Sequence, residues 1–191
     1  LAFPRARWKE LPEHVTHGAA SLLPALIILL CAWSLGKVFN ELGTANLLTD
    51  VIKGSTSVAY LPLLVFLLGS VTSFLTGTSW GTMGLLMPIV VPIGIDLGAA
   101  DQLTTLLPMI IGAVFGGAVF GDHCSPFSDT TIVSAMASGC SPTSHVVTQI
   151  PYALLTALGA AIAYSLMAFG LPAWISTLIC AAAMSTFVLT Q

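Results

Sequence analysis

The sequence predicts an all-α, polytopic helical membrane protein built around a broken transmembrane helix. Three observations carry that expectation. Apolar residues make up 56% of the 191 positions and charged residues 7%, about a quarter of the charged share of an ordinary soluble domain; the mean hydropathy is +0.97. The apolar runs are continuous over about 20 residues, the length of a spanning helix, and lack the alternation of about 10 residues that marks an outer-membrane barrel. Finally, the run Phe115-Gly-Gly-Ala-Val-Phe-Gly-Asp-His-Cys-Ser-Pro-Phe-Ser-Asp-Thr-Thr131 leads from an apolar, glycine-rich helix straight into polar residues. The apolar piece after it, Ile132 to Gly139, is too short to cross a bilayer alone. It reads as the second half of one interrupted helix spanning about 103–139.

Taken in order, residues 1–16 form a polar connector or interfacial segment, with Trp8 between Arg7 and Lys9 suited to the headgroup zone. Residues 17–191 form the membrane domain. Its first span covers about 18–36, and 37–56 is a polar connection. A hairpin over about 58–95 follows, with Thr76-Gly-Thr-Ser-Trp-Gly-Thr-Met-Gly84 as its uncharged tip. A tip of glycines and hydroxyls without charge predicts a re-entrant turn buried at membrane depth, with Thr78, Ser79 and Thr82 as oxygen donors; the plainer alternative is two ordinary spans with a short loop. The helix from Leu103 to Gly121 carries Gly112 and Gly116 at a spacing that favours close helix contact. Two further spans cover about 145–170 and 172–190.

The charges narrow the chemistry. All five basic residues lie at or before Lys53, while Asp96, Asp101, Asp122 and Asp129 lie beyond it. Fixed negative charge along a pathway favours a cation as cargo. The four cysteines form no Cys-x-x-Cys pair, so neither a disulfide framework nor a zinc site is expected. No His-Glu-x-x-His run is present, and Asp122 lacks the Gly-x-Gly that an intramembrane protease would place before it, so the reading is not an enzyme.

Pro126 removes a backbone donor and can stop the helix, and Ser128 or Asp129 can cap the helix that restarts. Ionisable groups in a membrane segment are costly and point to function. Asp122 and Asp129 are the candidate ion and proton ligands, and Ser125, Ser128, Thr130 and Thr131 the hydroxyls that complete an oxygen shell for Na⁺. His123 is a candidate proton relay, or it orients an aspartate. Two carboxylates about 4 Å apart at an effective dielectric near 20 repel by about 4 kcal/mol, which favours a shared proton or a bound cation. The alternative is that 121–131 is a plain aqueous loop with Asp129 as a cap.

The run Gly121-Asp-His-Cys-Ser-Pro-Phe-Ser-Asp-Thr-Thr131, then His145-Val-Val-Thr-Gln-Ile-Pro-Tyr-Ala153, resembles the NhaC family of Na⁺/H⁺ antiporters, as does Gly77-Thr-Ser-Trp-Gly-Thr-Met-Gly84 ahead of Pro88-Ile-Val-Val-Pro92. The pattern departs at His145, where an acidic residue is expected. The resemblance implies the C-terminal half of a transporter of two inverted repeats, each pairing a re-entrant hairpin with a broken helix. It implies exchange of Na⁺ for H⁺ across the cytoplasmic membrane by alternating access, or Na⁺-coupled exchange of small organic acids. The expected partners are Na⁺, H⁺, membrane lipid, the N-terminal half and a second copy in a homodimer. No nucleic acid and no cofactor beyond the transported Na⁺ is expected.

Overall fold

The computed structural model describes residues 57–98 and 103–189 continuously and isolated positions between 12 and 42. The predicted connector, the first span at 18–36 and the polar connection at 37–56 therefore lie outside the described residues, apart from those isolated positions. Among the described residues every regular element is helical.

A single 3₁₀ turn, Val58–Tyr60, leads into α1, Leu61–Thr76. Pro62 stands in the first turn, where a missing N–H costs no helical bond. Gly77 ends the helix at φ +66°, its N–H bonded to Ser73 O at 2.8 Å, a left-handed cap open to glycine at little cost. Thr78 at once caps α2, Ser79–Leu97, accepting the Gly81 N–H on its side chain at 3.2 Å. The turn is therefore only Gly77 and Thr78. Ser79 to Gly84, expected as the rest of the hairpin tip, form the first turns of α2, because the cap at Thr78 lets the helix begin immediately. Pro88 and Pro92 sit inside α2 without ending it, although each forfeits one helical bond.

Next come α3, Leu103–Cys124, and α4, Asp129–Ala137, with four residues between them. Gly139, at φ +67°, closes α4. Ser141 caps α5, Pro142–Ala168, by accepting the Ser144 N–H at 3.2 Å, and α6, Ala173–Leu189, follows. Four helices have the length and apolarity to cross a membrane: Val58–Thr76, Ser79–Leu97, Leu103–Cys124 and Pro142–Ala168. Both arms of the hairpin are among them. The nine residues of α4 reach only about 13 Å, less than half of a hydrocarbon core of about 30 Å.

The core is the seam between α1 and α3, extended by α2. Ile110 and Val114 are fully buried against Phe66, Leu86, Val90 and Ile93. At the seam the backbones touch. A Cβ on Gly117 would strike Phe66 O, and one on Gly121 would strike Ser70 O and come 2.7 Å from Phe74 N. Small residues at such crossings let helices approach where lipid offers no hydrophobic drive. Ser73, fully buried, donates its hydroxyl across the seam to Ala118 O at 2.6 Å. Gly112 and Gly116, the pair picked out by spacing, face looser neighbours: Tyr164 Oη at 3.8 Å, and the Phe66 ring at 3.6 Å.

Candidate ion site at the helix break

The break is built by local chemistry. The chain loses its helical donor at Pro126, and Ser125 N–H instead makes a tighter bond to Asp122 O at 3.2 Å. Ser128 N–H then bonds Ser125 O at 3.3 Å. Ser128 becomes the cap of α4, its Oγ accepting the Thr131 N–H at 3.4 Å. The first turn lies against this break, since a Cβ on Gly77 would sit 2.9 Å from Phe127 O.

Three of the predicted residues come together. Asp122, 3% exposed on the last turn of α3, accepts the Ser128 hydroxyl on Oδ1 at 2.8 Å and the Thr130 hydroxyl on Oδ2 at 2.7 Å. The two hydroxyl oxygens stand 2.7 Å from each other. The carboxylate thus lies at the N-terminal end of α4, where the helix dipole favours negative charge. Every ligand-type atom in this triangle is a hard oxygen. Among the described residues no three of His, Cys, Asp and Glu gather as a transition-metal set.

The other predicted residues take different places. Ser125 is fully buried and accepts Phe127 N–H on its hydroxyl at 3.4 Å. Thr131 is buried and joins the site through its backbone. Asp129 opens α4, next to the cap; its side chain is outside the described positions. His123 is exposed, and its Nδ1–H is given to Val119 O at 2.8 Å on its own helix, not to Asp122. Thr78 and Thr82 bond within the first turn: Thr78 holds Gly81 N–H, and Thr82, 1% exposed, lies 3.4 Å from the Thr76 hydroxyl. Ser79 opens α2 and is half-buried.

Residues not singled out from the sequence surround the break. Ser70, Ser73, Gly117 and Gly121 hold the end of α3 in place. A polar cavity of about 390 Å³, lined by Thr130, His145, Thr148 and Gln149 among others, lies between α4 and α5. The spacing Gly117-x-x-x-Gly121 was present as a signal. The α5 polar residues stand in the run His145 to Ala153 that carries the family resemblance, which assigns them no role.

A buried carboxylate that accepts two hydroxyls thus stands at a helix break in a chain with four helices long and apolar enough to cross a membrane. The chain belongs to the Na⁺/H⁺ antiporter family, whose model matches residues 2–170; it is a multi-pass protein of the plasma membrane. It is 39% identical over 166 residues to an uncharacterized protein of Haemophilus influenzae, covering 85% of this chain and 31% of that one. A Bacillus subtilis protein described as a malate-2H(+)/Na(+)-lactate antiporter is 30% identical, with 79% of this chain and 32% of that protein covered. An uncharacterized Na(+)/H(+) antiporter of Haemophilus influenzae is 31% identical, with 78% and 31% covered. The chain spans about a third of the length of these relatives. No solved structure matches it.

Proposed function

We propose that Asp122 is the shared Na⁺ and H⁺ site of a secondary antiporter of the NhaC type, working by alternating access. One observation carries this reading. Three short contacts join Asp122, Ser128 and Thr130, but a serine and a threonine hydroxyl bring only one proton each. With both given to the carboxylate, the 2.7 Å contact between the hydroxyls is left without a proton. One more positive charge completes the ring. A proton on Asp122 turns one hydroxyl round to face the other, and a Na⁺ among the same oxygens neutralises the charge in the proton's place. Burial adds to the demand, because an unpaired charge at membrane depth is costly. Two cations that cannot occupy one carboxylate together, presented alternately to the two sides, are exchanged one for the other. Asp129, next to the cap, belongs to the proposed outer shell, with Ser125, Thr131 and His123 around it.

The test is Na⁺-driven proton movement, read with a pH-sensitive dye in liposomes holding the full chain. A Na⁺ pulse is expected to drive protons in the opposite direction. Asp122→Asn is expected to bring the signal to that of empty liposomes, and Asp129→Asn to leave part of it. A wild-type protein in which Na⁺ moves no protons, or an Asp122→Asn variant that exchanges normally, refutes the assignment.

A second reading, Na⁺-coupled exchange of small organic acids, is favoured by the polar cavity at Thr130 and by the name of the Bacillus relative.

A further inference from the structure

Aromatic residues mark both ends of the described bundle. At one end the ring of Tyr60, just before α1, meets that of Phe169, just after α5, with centroids 6.3 Å apart. Trp174 is exposed nearby in the chain, in the first turn of α6. At the other end Trp80 is exposed in the first turn of α2, and Tyr152 is exposed on α5, where it lines the same cavity as His123. Exposed rings of this kind settle at the two membrane–water boundaries. Asp122 belongs to the second end. α1 and α3 run the same way, since Gly117 meets Phe66 and Gly121 meets Ser70 and Phe74. Ser73, bonded to Ala118 O, stands about 20 Å of helical rise along α1 from Tyr60, and Asp122 is one turn further. The carboxylate is therefore about 25 Å from the first boundary, in a hydrocarbon layer of about 30 Å.

The polarity of α5 changes at the same level. Ser141, Thr143, Ser144, His145, Thr148 and Gln149 precede Tyr152, whereas from Ala153 to Ala163 only Thr156 interrupts an apolar run, and its hydroxyl is given to Ala153 O. The polar cavity of about 390 Å³ falls here. Thr130, Ser134 and Thr148 on its walls are exposed, and Thr130 also donates to Asp122 Oδ2. Hydroxyls thus lead from an exposed rim to the carboxylate. Towards α1 the way is shut, because Ala118 is fully buried and Gly121 has Ser70 O where a side chain would be. Among the described residues no Lys or Arg lines the cavity, so no fixed positive charge stands in a cation's path.

We infer that the polar cavity between α4 and α5 is the aqueous entrance by which the cation reaches Asp122, from the side of the membrane to which the turn between α1 and α2 points. Ser134 and Thr148 form its outer wall, and Thr130 hands the cation on to the carboxylate. The inference rests on Asp122 as the cation site.

The test is side-specific labelling of single cysteines in the full chain, with its native cysteines replaced, in right-side-out and inverted membrane vesicles. The probe is a membrane-impermeant cationic thiol reagent. Thr148→Cys, Ser134→Cys and Trp80→Cys are expected to react from one face, and Trp174→Cys from the other. Leu158→Cys, exposed on the apolar run, is expected to react from neither. Labelled Thr148→Cys and Ser134→Cys are each expected to lose most of the Na⁺-driven proton movement that the same variant shows unlabelled, while labelled Trp80→Cys keeps its own. Reaction of Thr148→Cys and Ser134→Cys from the Trp174 face, or from neither face, overturns the inference, as does labelling that leaves exchange intact. Two wall positions are used so that one variant failing to fold leaves the other to decide. A wrong labelling pattern alongside intact Na⁺-driven proton movement in the unlabelled protein defeats this inference alone. Absent proton movement before labelling defeats the ion-site reading beneath it, and the entrance with it.

Discussion

The two sides of Asp122 are built in opposite ways. On one side α3 is pressed onto α1 so closely that Gly117 and Gly121 have backbone where a side chain would be, and Ser73 ties the helices with a hydrogen bond to Ala118 O. On the other side α4 has nine residues, of which Thr131 and Ala135 are buried while Thr130, Ile132, Val133 and Ser134 are exposed, and a cavity lies between it and α5. The carboxylate is carried by the packed side. The hydroxyls that donate to it are carried by the open side. A packed interior resists gradual deformation, so the charge has one position while its donors have room to change theirs. Disrupting each side in turn tests that division.

The largest effect is expected at the seam. In Gly121→Val the new side chain meets Ser70 O and Phe74 N, main-chain atoms that cannot rotate away. The helices must separate, which frees Ser73 from Ala118 as well. Overpacking of this kind costs about 1–3 kcal/mol and sometimes more, and with backbone on the far side the upper end, about 3 kcal/mol, is expected. Thermal unfolding of the full chain in detergent measures it. A loss under about 1 kcal/mol would mean that the seam yields and is not the fixed side.

The open side is expected to respond in function more than in stability. Thr130→Val keeps the shape and removes the donor to Asp122 Oδ2. A hydrogen bond to a charged group is worth about 1.5–3 kcal/mol, so the Na⁺ concentration for half-maximal exchange should shift about tenfold to a hundredfold. Ser128→Ala removes the other donor and also the cap that holds Thr131 N–H, so it should add about 1 kcal/mol of lost stability to a similar shift. Equal destabilisation by both variants would contradict the separate roles of cap and donor.

This division also explains what could be read from the residues alone. Helical, membrane-spanning architecture follows from run length and low charge, which are properties of whole segments. The break followed from Pro126 among polar residues with too few apolar residues after it. Which hydroxyls reach Asp122 did not follow, because Ser125, Ser128, Thr130 and Thr131 are equal by type and only the path of the turn separates them: Ser125 N–H takes Asp122 O, and that aims Ser128 and Thr130 at the carboxylate. Where the turn after α1 ends is not marked by residue type, because the glycines and hydroxyls from Ser79 to Gly84 suit the first turns of a helix as well as a loop once Thr78 caps it. The cavity at Gln149 depends on α4 lying beside α5, a contact between separate helices that no local pattern encodes.

The smallest effect separates two glycine pairs of identical spacing. Gly112-x-x-x-Gly116 and Gly117-x-x-x-Gly121 are equivalent as patterns, but only the second lies on the face turned to Ser70 and Ser73. A Cβ at Gly112 meets only Tyr164 Oη at 3.8 Å, an ordinary contact. In a helix interior alanine is favoured over glycine by up to about 1 kcal/mol. Gly112→Ala should therefore leave the unfolding temperature unchanged or slightly raised, whereas Gly121→Ala should lower it, since even one methyl collides with Ser70 O. If the two alanines behave alike, the closeness of α1 and α3 is not what holds Asp122 in place, and the contrast between its two sides fails with it.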